Sequence, residues 1–419
     1  MDYGTDHDQD DEGSTVPALD GYRVLDMTQV LAGPYCTMSL ADMGADVIKV
    51  EGPDRTSRRF GFAMTGEDGA AFLALNRNKR SFTVDLKDAD GRRALLALVA
   101  TADVFVENYR PGVMTRLGID FAALRAVNPR LVYASISGFG QTGPYAERPG
   151  YDIIAQGMSG IMSVTGAPGG PPMKAGLPVA DLAAGLIGAN AILSALLARA
   201  RTGEGQYIDT SLFDAAMSMS VWESAQVWAT GEVPGPLGSA HRGSAPYQAL
   251  RAADGHLVVA ANKPHFWRNL CAVLGHPELE HDPRFATNAD RLRNLDQLVP
   301  ELEAGLAGRT VADWVDTLLE ANVPAGPILD YGQSLCDPHT VARGMVQELE
   351  HPVEGRIRTL GIPAKLGGTP GSLRRPAPLQ GEHTVEVLRE LGYDQDRIDR
   401  LLAQGSVLSC PDPVAPELP

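Results

Sequence analysis

Asp181 is the one ionisable group in Gly176-Leu177-Pro178-Val179-Ala180-Asp181-Leu182-Ala183-Ala184-Gly185, a run of small and apolar residues. The run continues with helical period through Leu193, Leu196 and Leu197 to Arg199. A carboxylate at the mouth of an apolar helix has two uses. It can cap the helix by accepting bonds from free backbone N–H groups, or act as a nucleophile kept ionised by the helix dipole. A second group of residues bears on the choice. Arg58, Arg59, Arg77, Lys79, Arg80, Lys87, Arg110 and Arg116 fall near predicted strand ends and loops of one α/β region. Such cations usually solvate a surface, but a ligand with several phosphates would need some of them. In parallel sheets that ligand sits in the crevice at the carboxyl ends of the strands. If Asp181 lies close by in the fold, a phosphorylated acyl carrier such as coenzyme A is a natural candidate.

The elements that must position these residues alternate. Tyr22–Met27 reads as a buried strand, Thr37–Met43 as a helix ended by Gly44, and Val47–Val50 as a second strand closing on Glu51. A β-α-β unit of this length implies a parallel sheet with helices on its faces. The pattern repeats with a strand at 81–85, a helix at 91–100, and strands at 104–106 and 131–136. Gly/Pro-rich loops follow at Gly166–Pro172 and Gly231–Gly243. Beyond them lie a strand at 255–260 and helices at 266–274, 298–306 and 311–319, then short strands near Leu349 and Ile357 and a final helix at 384–391. The expected organisation is an acidic disordered tail (1–19), a large α/β domain (20–225), a linker (226–239), a small α+β domain (240–335), a return segment completing the large domain (336–405) and a loose tail (406–419).

Composition narrows the class. The 419 residues are 44% hydrophobic and 21% charged, as in soluble globular proteins. No uninterrupted apolar run of membrane-span length and no signal peptide are read, and Cys36, Cys271, Cys336 and Cys410 are too scattered for a Cys-x-x-Cys site. A cytoplasmic protein with reduced thiols is expected. The net charge of −16 argues against nucleic-acid binding. Asp8, Asp10, Glu12 and Gly13 imitate a calcium loop, but Leu19 occupies the position that needs a bidentate acid, so calcium is rejected.

Other motifs fail on context. Gly138-Phe139-Gly140-Gln141-Thr142-Gly143 has dinucleotide spacing, but Pro144 and Pro149 oppose the helix that would receive a pyrophosphate. Ala32-Gly33-Pro34 at the first β-α junction lacks the fingerprint as well. Gly157-Met158-Ser159-Gly160-Ile161 misses the last glycine of a nucleophile elbow, and the nine histidines show no metal-ligand spacing. His241, in a glycine-rich loop, reads as a solvated loop residue.

Several stretches together carry a resemblance. Gln29–Pro34, Gly44–Glu51, Asn76–Ser81, Val106–Gly112, Gly150-Tyr151-Asp152 with Gln156, Asp181, Ala245-Pro246-Tyr247, Asp282–Asn288 and Val323–Pro327 are similar to the class III CoA-transferases. That family includes formyl-CoA transferase, carnitine CoA-transferase and the α-methylacyl-CoA racemases. The similarity runs from about residue 20 to 395 and is specific for the family, not for a substrate.

The resemblance implies an interlocked homodimer, no permanent cofactor, and acyl-CoA and a carboxylic acid as substrates. Asp181 aligns with the nucleophile that forms an acyl-aspartyl anhydride and then an aspartyl-CoA thioester. Tyr151 stands thirty positions earlier, where the racemases carry a catalytic histidine. With a reference pKa of about 10, tyrosine is a poor proton shuttle, which favours transfer over racemisation. Val30, Lys87, Asn108, Tyr109 and Arg116 are implied for CoA, with the two cations suited to phosphates. Leu31 replaces a glutamine of formyl-CoA transferase, which turns the expectation from oxalate and formate toward a larger or more apolar acid. The Gly235–Gly243 loop is a loose match to the family's lid. The competing readings are a CoA-dependent racemase and a non-catalytic CoA-binding protein.

Overall fold

The computed structural model describes residues 16–410; most of the acidic N-terminal tail, the last nine residues and the calcium-like acids lie outside them. Buried apolar runs build the main sheet. Strands β1 (Arg23–Asp26), β2 (Asp46–Glu51), β3 (Lys79–Val84), β4 (Val104–Glu107), β5 (Val132–Ser137) and β6 (Tyr207–Ser211) pair in parallel. Their order is β3-β2-β1-β4-β5-β6. Strands β3, β4 and β5 are buried along their whole length, as expected where helices cover both faces. The chain winds outward from β1 to β3, then returns beside β1 to start the other half at β4. The switch point of the sheet therefore lies between the carboxyl ends of β1 and β4, where open α/β sheets bind ligands.

The two helices that matter most are α1 (Ala32–Asp42) and α2 (Val179–Thr202). The first starts five residues earlier than its pattern suggests, because Pro34 falls in the first turn, where no intrahelical N–H is needed. The second corrects the reading of apolar runs. It is long and apolar enough to cross a bilayer by length and composition, with mean hydropathy 1.7 over its best window. Half of that window is buried instead, where Gly188 passes Cys36 of α1 and Ile136 of β5.

The chain divides into two compact units. Among the described residues, one comprises 16–160, 175–224 and 339–410, the other 161–174 and 225–338. Residues 161–174 thus cluster with the smaller unit although they precede α2. The smaller unit carries an antiparallel sheet of β7 (Tyr247–Arg251), β8 (His256–Ala260) and β9 (Ala325–Pro327). Helices pack over it around Trp267, Leu270, Phe285, Leu302 and Trp314. Its Gly235–Gly243 loop is tied internally, Arg242 donating to the Gly235 carbonyl at 2.7 Å.

The larger unit also contains a hairpin of β10 (Val346–His351) and β11 (Gly355–Leu360). At both borders of the described residues the fold extends further than expected. The Leu19 amide donates to the Met43 carbonyl at 2.9 Å, so the fold begins before residue 20. Beyond the helix at Thr384–Glu390 another runs over Gln395–Ala403. Val407–Leu408 then pairs antiparallel with β3, and Val407 is fully buried. The tail at 406–410 is therefore a sheet edge and not a loose end.

Candidate active site

Asp181 is the third residue of α2 and half-buried. It does not cap that helix. The cap comes from Asp152, at the start of helix α3 (Asp152–Met158), which lies earlier in the chain than α2. Asp152 Oδ1 accepts from the Ala180 amide at 2.9 Å and the Asp181 amide at 3.4 Å. The fully buried Gln156, one turn along α3, donates from Nε2 to Asp152 Oδ2 at 2.6 Å and accepts from the Ala175 amide at 2.9 Å. These bonds hold the loop before α2 and leave the Asp181 side chain without a capping task.

The electrostatics run against the simple expectation that the helix terminus keeps Asp181 ionised. Burial pushes its carboxyl up to about 7, and the neighbouring Asp152 carboxylate adds to the rise. The group is poised between acid and base at neutral pH, as a functional carboxylate in a cleft often is. Tyr151, immediately before α3, is 68% exposed.

A close helix contact links Asp181 to the switch point. Gly185, one turn beyond Asp181, lies so near α1 that a Cβ there would come within 2.7 Å of the Ala32 carbonyl oxygen and 3.1 Å of the Tyr35 ring. The first turn of α1 therefore meets the second turn of α2, and Val30 and Leu31 lead into α1 just before that contact.

At the carboxyl ends of β1 and β2 lies a crevice. One cavity of ≈ 450 Å³ is lined by Met27, Glu51, Leu86, Lys87, Tyr109 and Leu117 among others. A second of ≈ 400 Å³ takes in Thr28, Gln29, Val30, Lys49 and Phe60, and the two share Met27, Val50, Glu51, Gly52, Asp54 and Tyr109. The crevice thus brings Val30, Lys87 and Tyr109 together, with Asn108 bonded into its wall. The Gln29 amide donates to Asn108 Oδ1 at 2.8 Å, Asn108 Nδ2 donates to the Gln29 carbonyl at 2.7 Å, and Gln29 Nε2 donates to the Tyr109 hydroxyl at 2.7 Å. Leu31 is half-buried at the entry to α1, and Arg116 is exposed in the short helix Val113–Leu117. A larger cavity of ≈ 550 Å³, between the β10–β11 hairpin and residues 64–74, contains none of the expected site residues.

Half of the candidate cations belong to the fold. Arg58, fully buried over the Phe72 ring, bridges both Glu51 oxygens at 2.8 and 2.9 Å and grips Asp68 at 2.7 Å. Arg77 forks onto Asp42, Lys79 pairs with Asp26, and Arg80 pairs with Asp46 and Glu390. Arg59 pairs with Glu67 at the surface. Lys87, Arg110 and Arg116 are the exposed cations beside the sheet's ligand end. Residues 138–151 form turns, so no helix presents its N-terminus to a dinucleotide there.

Sequence reasoning missed Asp152, Gln29 and Lys49, and gave Gln156 no role. The spacing of Asp152 and Gln156 on one helix face was the only available signal for that pair.

Comparison with known proteins gives a consistent picture. The profile described as CoA-transferase family III matches residues 19–384. The succinyl-CoA:glutarate CoA-transferase of Mus musculus is 38% identical over 406 residues, covering 96% of this chain and 93% of its own length. The acetyl-CoA:oxalate CoA-transferase of Acetobacter aceti is 42% identical over 377 residues, covering 89% and 95%. A crystal structure of a CaiB/BaiF family protein from Brucella suis superposes with a TM-score of 0.82 at 39% identity, covering 90% of this chain and 100% of that one.

Proposed function

The chain belongs to CoA-transferase family III and is an acyl-CoA:carboxylate CoA-transferase; from that premise we propose that Asp181 carries the acyl group through aspartyl anhydride and aspartyl-CoA thioester intermediates. The observation that carries the proposal is a half-buried carboxylate, freed from capping by Asp152, one turn before the glycine at which α2 meets the first turn of α1.

The Asp181 carboxylate oxygen attacks the donor thioester carbon. The C–S bond breaks, leaving an acyl-aspartyl anhydride and CoA thiolate. The thiolate attacks the aspartyl carbonyl, the donor acid leaves as carboxylate, and an aspartyl-CoA thioester remains. The acceptor carboxylate attacks that thioester, again expelling thiolate, which takes the new acyl group and returns Asp181 as carboxylate. No net proton is consumed. The cycle starts from ionised Asp181, so the rise of its pKa to about 7 ties activity to pH. Low local hydration lengthens the life of the anhydride.

Val30, Lys87, Asn108, Tyr109 and Arg116 form the proposed CoA site, the two cations meeting phosphates, with Leu31 facing the acyl end and Tyr151 beside the reacting carboxylate. Transfer is favoured over racemisation because the tyrosine stands where an acid/base histidine would be needed. Relatives act on glutarate and on oxalate, both short dicarboxylates, so dicarboxylic acids are the first acceptors to try. Leu186, Ile187 and Leu197 on α2 and Ile153 and Ile154 on α3 are exposed apolar residues. They support pairing of two chains as an interlocked homodimer. The buried thiols of Cys36 and Cys271, each pushed up to about 12 by burial, suit a reducing compartment such as the cytoplasm.

The test is a matrix of acyl-CoA donors against dicarboxylic acids, followed by chromatography of the CoA esters, for the wild type and Asp181→Asn. The proposal expects transfer in at least one pair and its loss in the variant, with CoA still bound. Turnover by Asp181→Asn, or deuterium exchange at the α-carbon without transfer, would overturn it.

A further inference from the structure

Val30 has φ +67°, in the left-handed region. A β-branched side chain rarely adopts it, because the branched carbon crowds its own backbone. Such strain persists only where the surroundings over-determine the backbone. Packing of the Val30 side chain is a weak support, since it is 46% exposed to the ≈ 400 Å³ cavity that it lines. The restraint lies in the residues on either side.

Thr28 and Gln29 are held at almost every polar atom. The Thr28 amide and hydroxyl both donate to Asp26 Oδ1, at 2.9 and 2.5 Å, and its carbonyl accepts from Lys49 Nζ at 2.7 Å. The Gln29 amide and carbonyl are both bonded to the Asn108 side chain. Beneath them, a Cβ at Gly33 would lie 2.3 Å from the Thr28 Cβ, so the turn rests directly on the first turn of α1. Past Val30, the Leu31 carbonyl accepts from the Tyr35 amide at 2.8 Å and the helix takes over.

Lys49 is the unusual member. It is 3% exposed, and its ammonium reaches across from β2 to the Thr28 carbonyl, with Asp26 Oδ2 at 3.5 Å. A buried ion pair adds little stability over an apolar pair of similar size, so packing alone does not call for an amine here. A donor aimed at the backbone two residues before a strained position does have a use: it fixes that position.

We infer that Lys49 is a positioning residue for acyl-CoA, acting with Asn108 to hold the Thr28-Gln29-Val30 turn in the strained shape that walls the crevice. The inference rests on the CoA site proposed above. Lys49 itself does not need to touch the substrate. Without its bond the turn can relax toward the extended region, and the crevice loses its preformed wall.

The test measures CoA affinity by titration calorimetry and the kinetics of transfer for Val30→Gly, Lys49→Met and the double variant. Glycine takes a positive φ without strain, so Val30→Gly should keep or raise the melting temperature while weakening CoA binding about tenfold. Lys49→Met should raise Kd and the KM for acyl-CoA by a similar factor, with kcat falling less than twofold and the KM of the acceptor acid unchanged. Because both changes act through one turn, the double variant should be no weaker than the worse single variant. Unchanged CoA affinity in folded Val30→Gly, or losses that simply add in the double variant, would overturn the inference. Should Lys49→Met fail to fold, the milder Lys49→Gln takes its place in the same comparison, with the same expected and contrary results. Calorimetry with CoA keeps the outcomes separate: CoA binding without transfer by any donor would count against the proposed reaction and leave this test intact.

Discussion

Replacing Asp152 by asparagine should move the pH dependence of the enzyme toward acid. The Asp181 carboxyl lies at about 7, raised first by burial and then by the Asp152 charge, and Asp152→Asn would remove only the second cause. Asp152 Oδ1 is 3.4 Å from the Asp181 amide nitrogen, which puts the two carboxylates on the order of 6 Å apart. With an effective dielectric of about 40 for a half-buried pair, their repulsion is about 1.4 kcal/mol, or roughly one pH unit. The midpoint of kcat/KM against pH should therefore fall from about 7 to about 6. At pH 6 the ionised fraction of Asp181 rises about fivefold, so the variant should be faster there while matching the wild type at pH 8.5. The amide oxygen can still accept from Ala180, whereas the new NH₂ would face the Gln156 Nε2 donor. That lost bond should lower stability by about 1 kcal/mol. Initial rates from pH 5 to 9 with a saturating acceptor acid decide the matter. An unchanged or higher midpoint in a folded variant would show that Asp152 does not set the ionisation of Asp181.

Three further outcomes follow from the same geometry. Raising a carboxyl from 3.8 to about 7 means the folded state holds a proton that the unfolded chain has lost, so its contribution is complete below pH 4 and disappears as the pH rises through 7. Asp181→Asn should accordingly be more stable than the wild type at pH 8, by about 2 kcal/mol after discounting for solvent access, and equal to it near pH 4 in urea titrations; an equal gain at both values would contradict this. Arg58→Leu would strand Glu51 as a buried charge and leave Asp68 only Arg55 as a cation partner, and should cost about 3–5 kcal/mol, whereas a loss under 1 kcal/mol would place that trio outside the stabilising core. Gly185→Ala would press a methyl group against the Ala32 carbonyl and separate α1 from α2. A small displacement of Asp181 should lower kcat by about tenfold or more, with about 1–3 kcal/mol of stability lost. Full activity in that variant would show that the helix contact does not position the carboxylate.

The parts of the fold that were legible are those encoded locally. The runs at Val47–Val50 and Leu131–Ile136 are mostly apolar because their strands are buried on both faces, and their shortness and β-branched or aromatic content locate them. β6 escaped notice because its alternating exposure, with Asp209 and Thr210 in the strand, reads as loop. Val407 escaped because its partner, Val84, is more than three hundred residues away. The candidate site divides the same way. Asp181 was visible as a lone charge in an apolar run, but its environment was not, since Asp152 comes from a helix 29 residues earlier. Lys79 looked like a phosphate ligand or a surface charge, and Lys49 was given no role. Only the sheet register turns them inward to Asp26, where, although burial opposes it, the two lysines hold the aspartate well below the usual carboxylate range. Lys79 is itself drawn down to about 8, chiefly by burial. Charges buried within strands are settled by pairing across the fold, which spacing along the chain cannot reveal.

The central claim is that Asp181 forms a covalent bond to the group in transit. It is tested most directly by peptide mass spectrometry after brief incubation with succinyl-CoA, with hydroxylamine added as a trap. A hydroxamate or CoA adduct on the peptide carrying Asp181, absent from Asp181→Ala, is the predicted result. Transfer at the normal rate with Asp181 unmodified under every trapping condition would contradict the account.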